Sequence, residues 1–207
     1  MDNINDRITV VDSQHANGIL DRNDIVEVYL YKDYGAGHFG NLAHLIEAKN
    51  TFTNLYGIGF FWGMSNFIGG FGEHVTNNEE YFIIYFYQDG VSKKIRLEYS
   101  DGVAGGSDDY LSPLPNTMYY FEVVRGGTSF YAKIYSDSDR TILLDTISYL
   151  CSSNLTEYIY VLSSRYTAQA GRQTTTDVYN LDLQEVTPTT SDKNIPKYFN
   201  SKYITHH

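Results

Sequence analysis

The sequence predicts an all-β protein, a sandwich of two antiparallel sheets, and three observations carry that prediction. Twenty tyrosines and eleven phenylalanines accompany 17 glycines and only four prolines. Aromatic and β-branched side chains suit a pleated, half-buried surface. About eleven segments of strand length are rich in such residues, and turn residues separate them roughly every dozen positions, which is the spacing of a sandwich. A chain of 207 residues is long enough to bury one sizeable core.

The elements follow in order. Residues 1–7 read as a short arm and residues 8–12 as a first strand, with a turn at Asn17-Gly18. Residues 25–31, IVEVYLY, read as a central strand. Leu42–Asn50 is ambiguous. Leu42, Leu45 and Ile46 make a helix stripe, whereas Leu42, His44, Ile46 and Ala48 make strand alternation. Residues 55–64 interleave glycine with large apolar residues, so a buried strand is expected, because glycine is costly inside a helix. Residues 65–78 and 100–112 read as two long loops, and no segment is convincing as a helix.

Two hairpins are plain. Residues 80–87 and 91–99 flank Asp89-Gly90, which supplies the positive φ of a tight turn. Residues 118–124 and 129–135 flank Gly126-Gly127. Strands at 141–148, 156–162 and 174–186 complete the set. Residues 187–207 change character: a Thr/Pro/Ser linker precedes Tyr198, Phe199, Tyr203 and Ile204, which suit an arm that docks on other subunits.

Gly35, Gly37 and Gly40 spell G-x-G-x-x-G, the pattern of a dinucleotide-binding turn. That chemistry needs a helix N-terminus after the glycines to hold a pyrophosphate.

Three stretches together resemble a known family: residues 31–41 leading into LAHLIEA, residues 119–148 (YYFEVVRGGTSFYAKIYSDSDRTILLDTIS), and VYNLDLQ at 178–184. They resemble the concanavalin A-like, laminin-G-type jelly-roll domains of uncharacterised microbial and phage-encoded proteins. The resemblance covers about residues 8–186, implies a two-sheet jelly-roll there, and leaves the arms at 1–7 and 187–207 unassigned. It also implies that Leu42–Asn50 is a strand, which removes the helix that a dinucleotide site requires. One fold hosts unrelated functions, so activity does not follow from it.

Charge and residue spacing narrow the chemistry. A net charge of −10 disfavours nucleic acid and anionic lipid as partners. No apolar run approaches the ~20 residues of a membrane span, and residues 1–6 lack the basic and apolar segments of a signal peptide. The single Cys151 precludes an intrachain disulfide and reads as a small buried hydrophobe. Six histidines show no metal spacing. Asn154-Leu155-Thr156 is a glycosylation sequon, relevant only in a eukaryotic secretory pathway.

Some members of this fold are glucanases with carboxylates alternating along one strand. Asp24/Glu27, Glu79/Glu80 and Asp108/Asp109 do not repeat at a spacing of two, so no catalytic residue is expected. Laminin-G-type domains often bind calcium at loop carboxylates, which makes Asp101, Asp108 and Asp109 the metal candidates, with turn formation as the plainer role. No other cofactor is expected. Trp62, Phe67 and Phe71, with Asn66, Glu73 and Asn77 nearby, are the ligand candidates, since sugar rings stack on aromatics and their hydroxyls seek amides and carboxylates. In an aromatic-rich chain Trp62 also fits the core.

The sequence therefore leads to a non-catalytic recognition and assembly module that forms homo-oligomers, placed on a virion or other extracellular surface. The alternatives are a lectin-like carbohydrate-binding module and a β-glucan hydrolase.

Overall fold

A computed structural model describes residues 7–21, 27–52, 56–164 and 173–181. In chain order the strands are β1 (Ile8–Val10), β2 (His15–Asp21), β3 (Tyr29–Asp33), β4 (Leu42–Asn50) and β5 (Tyr56–Ser65). A short helix α1 (Phe71–Thr76) precedes β6 (Glu80–Asp89), β7 (Ser92–Asp101) and β8 (Gly105–Leu111). Then come β9 (Tyr119–Gly126), β10 (Ser129–Tyr135), β11 (Leu143–Leu150), β12 (Tyr158–Ser163) and β13 (Gln173–Tyr179). One sheet has the order β1-β2-β13-β4-β9-β10-β11 and the other β3-β12-β5-β6-β7-β8. All paired neighbours run antiparallel. The chain is thus a two-sheet antiparallel jelly-roll β-sandwich.

Alternation decides which side chains meet between the sheets. In β4, Leu42, His44, Ile46 and Ala48 point inward, so the strand reading of this segment holds. In β6, Phe82, Ile84 and Phe86 face the core, with Ile95 and Leu97 of β7 beside them. Phe121, Val123, Phe130, Ala132 and Ile134 come from the opposite sheet. Burial of this apolar surface is the main stabilising term.

Several expectations need correction. Asn17-Gly18 is no turn; it lies inside β2, where Asn17 Nδ2 donates to Asp177 of β13 at 3.0 Å. Gly18 leaves room for the Leu162 methyls of the facing sheet, which explains a glycine within a strand. The chain turns earlier, where Asp12 accepts from the Gln14 amide. Among the described residues β3 is an edge strand paired with β12, and Ile25 and Val26 lie outside the described residues.

Residues 105–111 form β8 rather than a loop. Glycine and aspartate have low β propensity, yet the ladder to β7 and the ion pairs of Asp109 override it. The 80–99 hairpin turns on Gly90 (φ 59°) and Val91, so its strands extend to Asp89 and Ser92. The Gly35–Gly40 segment joins β3 to β4, strands of different sheets, with Gly35 and Gly37 at φ 92° and 72°. No helix follows it. Residues 1–6 and 182–207, including Tyr198, Phe199, Tyr203 and Ile204, lie outside the described residues.

Cys151 is buried, and burial pushes its thiol up. His44 is fully buried, and its Nδ1 accepts from Trp62 Nε1 at 3.3 Å. Burial lowers its pKa from 6.5 to about 3. As pH falls below 6.5 the unfolded chain takes up a proton that the folded chain refuses. The stabilisation is therefore full above 6.5 and is lost towards about 3. His74 is shifted in the same direction by burial. Urea midpoints between about pH 7 and pH 5 are expected to fall, approaching ~1.4 kcal/mol per pH unit for each neutral buried histidine. A flat profile would show that these histidines are not held neutral.

Candidate functional site: the outer face of the six-stranded sheet

The register of the six-stranded sheet assembles its outer face row by row. One row runs Tyr31, Tyr160, Gly63, Ile83, Glu98, Ser107 from β3 to β8. Its neighbours run Tyr29, Ser163, Phe60, Tyr85, Arg96, Asp109 and Asp33, Tyr158, Ser65, Tyr81, Ser100, Gly105. The β3–β12–β6 side is therefore rich in tyrosine and the β7–β8 side is polar and charged. Around Ile58, Phe60, Phe71, Tyr81, Ile83, Tyr85 and Tyr160 a second apolar cluster forms, separate from the core between the sheets.

Helix α1 lies on this face. Phe71 packs its ring against Phe60, Tyr81 and Tyr85 with centroids 5.7–5.9 Å apart. His74 meets Tyr160 edge-on at 5.3 Å. A helix of six residues is too short to stand alone. Glu27, buried, accepts from the Gly72 amide at 2.7 Å, and the Phe71 amide donates to Ser163 Oγ at 3.0 Å. Side chains at Gly70 or Gly72 would collide with Glu27, so both glycines serve this docking.

Between α1 and the β7–β8 turn lies an open groove of about 370 Å³. Its lining includes Tyr81, Glu98, Ser100 and Ser107 from the sheet, and His74 and Glu79 from the helix side. Glu98 is already oriented: Tyr81 and Tyr85 hydroxyls donate to its two oxygens at 2.8 and 2.6 Å. Burial, then the Glu98 carboxylate, pushes the Tyr85 hydroxyl well above its ordinary range, so it stays a donor. His74 donates Nδ1–H to the Gly70 carbonyl at 2.8 Å. Its buried Nε2 has no hydrogen-bond partner among the described residues.

Beside the groove, Arg96 and Lys94 neutralise Asp109. Arg96 binds it through two nitrogens at 2.6 and 2.9 Å, and Lys94 at 3.0 Å. Burial would raise the Asp109 carboxyl, but these bonds hold it below its ordinary value.

None of the six ligand candidates chosen from sequence lines this groove. Trp62 is core: fully buried, stacked on Phe130 at 5.7 Å. Phe71 is 2% exposed under its own helix. Residues 65–78, read as a loop, contain that helix, which provides the partner that Phe71 needs. Phe67 is half-buried with its ring on His74, and its carbonyl accepts from the Tyr160 hydroxyl. Asn66 donates to the Leu155 carbonyl at 2.9 Å, and Glu73 caps α1 through the Gly70 amide at 2.7 Å. Asn77 is exposed at the helix C-terminus.

The metal candidates are not brought together as a ligand set. Asp101 accepts from the Val103 and Ala104 amides and closes the β7–β8 turn. Asp108 accepts from the Ser148 amide of β11, and Asp109 is spent on Arg96 and Lys94. Among the described residues no group of three or more His, Cys, Asp or Glu could hold a metal ion.

Glu98 and Tyr85 were missed, although a signal existed. Tyr81, Ile83, Tyr85 and Tyr87 alternate with Phe82, Ile84 and Phe86, and the hairpin turn sets Glu98 opposite Ile83. The face was written in the alternation; its functional value needed the helix beside it.

Fold and face together define a jelly-roll sandwich with an aromatic and acidic groove on one outer face. No family model matches the chain, and no curated protein matches it in sequence. Solved structures are similar to it in fold. A functionally unknown protein from Saccharomyces cerevisiae is similar over 90% of this chain and 95% of its own, with TM-score 0.55 and 8% identity. A bifunctional GH43-CE chain from Bacteroides eggerthii matches over 85% of this chain and 22% of its own, with TM-score 0.53 and 9% identity. A PL7 alginate lyase from Zobellia galactanivorans matches over 85% of this chain and 78% of its own, with TM-score 0.47 and 14% identity. At such identities the likeness is one of fold.

Proposed function

We propose that this chain is a non-catalytic recognition module of the concanavalin A-like, laminin-G-like kind, and that its groove beside α1 takes a glycan. The observation that carries the reading is Glu98, held by two tyrosine hydroxyls in the floor of a groove of about 370 Å³. That size suits a small-molecule site, and a few pre-oriented polar groups beside aromatic rings are what such sites use for specificity. A carboxylate accepts from sugar hydroxyls, and Tyr81 offers a ring beside it. Glu98→Gln keeps the shape but replaces one acceptor oxygen with a donor facing a tyrosine hydroxyl. It is expected to weaken glycan binding about tenfold or more, as the loss of a charged hydrogen-bond acceptor does. A glycan array followed by calorimetry checks this; a blank across microbial polysaccharides would sink the reading.

The setting we propose is an assembly, such as a phage or archaeal-virus particle or a microbial surface, where the module decorates or attaches. The support is the sequence of residues 187–207, in which Tyr198, Phe199, Tyr203 and Ile204 follow a Thr/Pro linker. Deleting 187–207 is expected to abolish homo-oligomerisation while the sandwich stays folded, read by light scattering and circular dichroism. Unchanged assembly would reject the arm.

Hydrolysis is a second reading with one observation in its favour: Glu79 and Glu98, distant in sequence, line the same groove. Two carboxylates flanking a glycosidic bond are the minimum for that chemistry. Release of reducing ends from a β-glucan, lost in both Glu79→Gln and Glu98→Gln, would establish it.

A further inference from the structure

The groove's charge selects among glycans. Its lining contains two carboxylates, Glu79 and Glu98, and no lysine or arginine. The nearest cations along the sheet, Arg96 and Lys94, are one or more register positions away and are tied to Asp109 at 2.6–3.0 Å. His74, in the groove wall, is buried, and that burial disfavours its protonated form. The whole chain carries −10. An acidic sugar would meet this surface with like charge and no counter-charge, whereas a protonated amine finds two acceptors.

Resting on the glycan-binding reading above, we infer that the groove is specific for an amino sugar, a glycan bearing a free protonated amine such as a glucosamine unit. An ammonium group donates in three directions. Glu98 has acceptor capacity left after Tyr81 and Tyr85, because an ionised carboxylate offers about four lone-pair sites. Glu79 supplies a second carboxylate. The buried Nε2 of His74, whose residue lines the same groove, has no hydrogen-bond partner among the described residues. Charged hydrogen bonds of this kind are shorter and stronger than neutral ones.

The test is calorimetric titration at about pH 6 and physiological salt with three probes: a glucosamine tetramer, its N-acetylated counterpart, and a uronate tetramer. The expected result is binding of the amine form at least ~10-fold tighter than the N-acetylated form, with the uronate weakest. Glu79→Gln with Glu98→Gln should erase that preference, and the single Glu98→Gln should reduce it. Asp139→Asn with Asp145→Asn, which removes the same charge from exposed positions elsewhere, should leave it intact.

A preference lost equally in both double variants would reflect overall charge and would overturn the inference. Equal or tighter binding of the N-acetylated or uronate form, still sensitive to Glu98→Gln, would overturn the inference and leave glycan binding standing. No binding of any probe or arrayed glycan would overturn both. The comparison among the three probes on the unaltered protein decides the matter even where a variant fails to fold.

Discussion

Phe71→Ala is expected to lower the unfolding free energy by about 3–5 kcal/mol, the range for truncating a buried phenylalanine. The ring is 2% exposed and closes the cluster of Phe60, Tyr81 and Tyr85 on the outer face of the six-stranded sheet. Its removal does more than open a cavity. Helix α1 is six residues long and is held by this ring, by the Glu27 carboxylate at the Gly72 amide, and by Ser163 at the Phe71 amide. Losing the ring loosens the helix and, with it, the groove wall at His74 and Glu79. Glycan binding should therefore weaken together with stability. Urea denaturation and calorimetry on the same preparation separate the two roles. Lost affinity at unchanged stability would put Phe71 at the ligand and remove it from the core.

Trp62→Ala should be as costly, about 3–5 kcal/mol, and should leave glycan affinity unchanged in the folded fraction. The indole is fully buried between the sheets, stacked on Phe130 and donating to His44. Truncation leaves both a large void and a buried imidazole nitrogen without its donor. Trp62→Phe restores much of the volume, so its cost should be smaller, about 1–3 kcal/mol. Near-equal stability of Trp62→Ala and the native chain, measured by urea midpoints, would contradict this placement.

Trp62 also shows where sequence reading stops. Strict alternation from Ile58 and Phe60 would set Trp62 on the same outer face. A bulge between Phe60 and Trp62 adds one residue to β5, and the side chains after it exchange faces. Phe61, Trp62 and Met64 therefore all reach the core, while Ile58 and Phe60 stay outside. Alternation is local information. A bulge depends on what the partner strand and the facing sheet can accommodate: a Cβ at Gly63 would press on the Phe60 ring and the Phe82 carbonyl.

The two missed strands and the missed helix have related causes. β2 contains Asn17-Gly18, a turn signal in isolation, but Leu162 across the sandwich needs the space at Gly18. β8 reads GGSDDYL, poor in β formers, and is held by its ladder and by Arg96 on Asp109. Helix α1 is capped from Glu27, 45 positions away. For β2 and α1 the deciding partner is remote in the chain, and for β8 it lies on the preceding strand.

What the sequence determined by itself is the set of local features, an all-β chain and the hairpins at Gly90 and Gly127, whereas the strand at Leu42–Asn50, ambiguous from its own residues, followed only from the family resemblance. Period-two patterning and positive-φ turns need only a few neighbouring residues to act, so they can be read in order. Tertiary structure alone decided which face each aromatic serves, and it made a groove from Glu79, Glu98, Tyr81 and His74. Those outcomes rest on strand pairing, on a bulge, and on the docking of one short helix, and each is a contact between residues that the chain keeps apart until it folds.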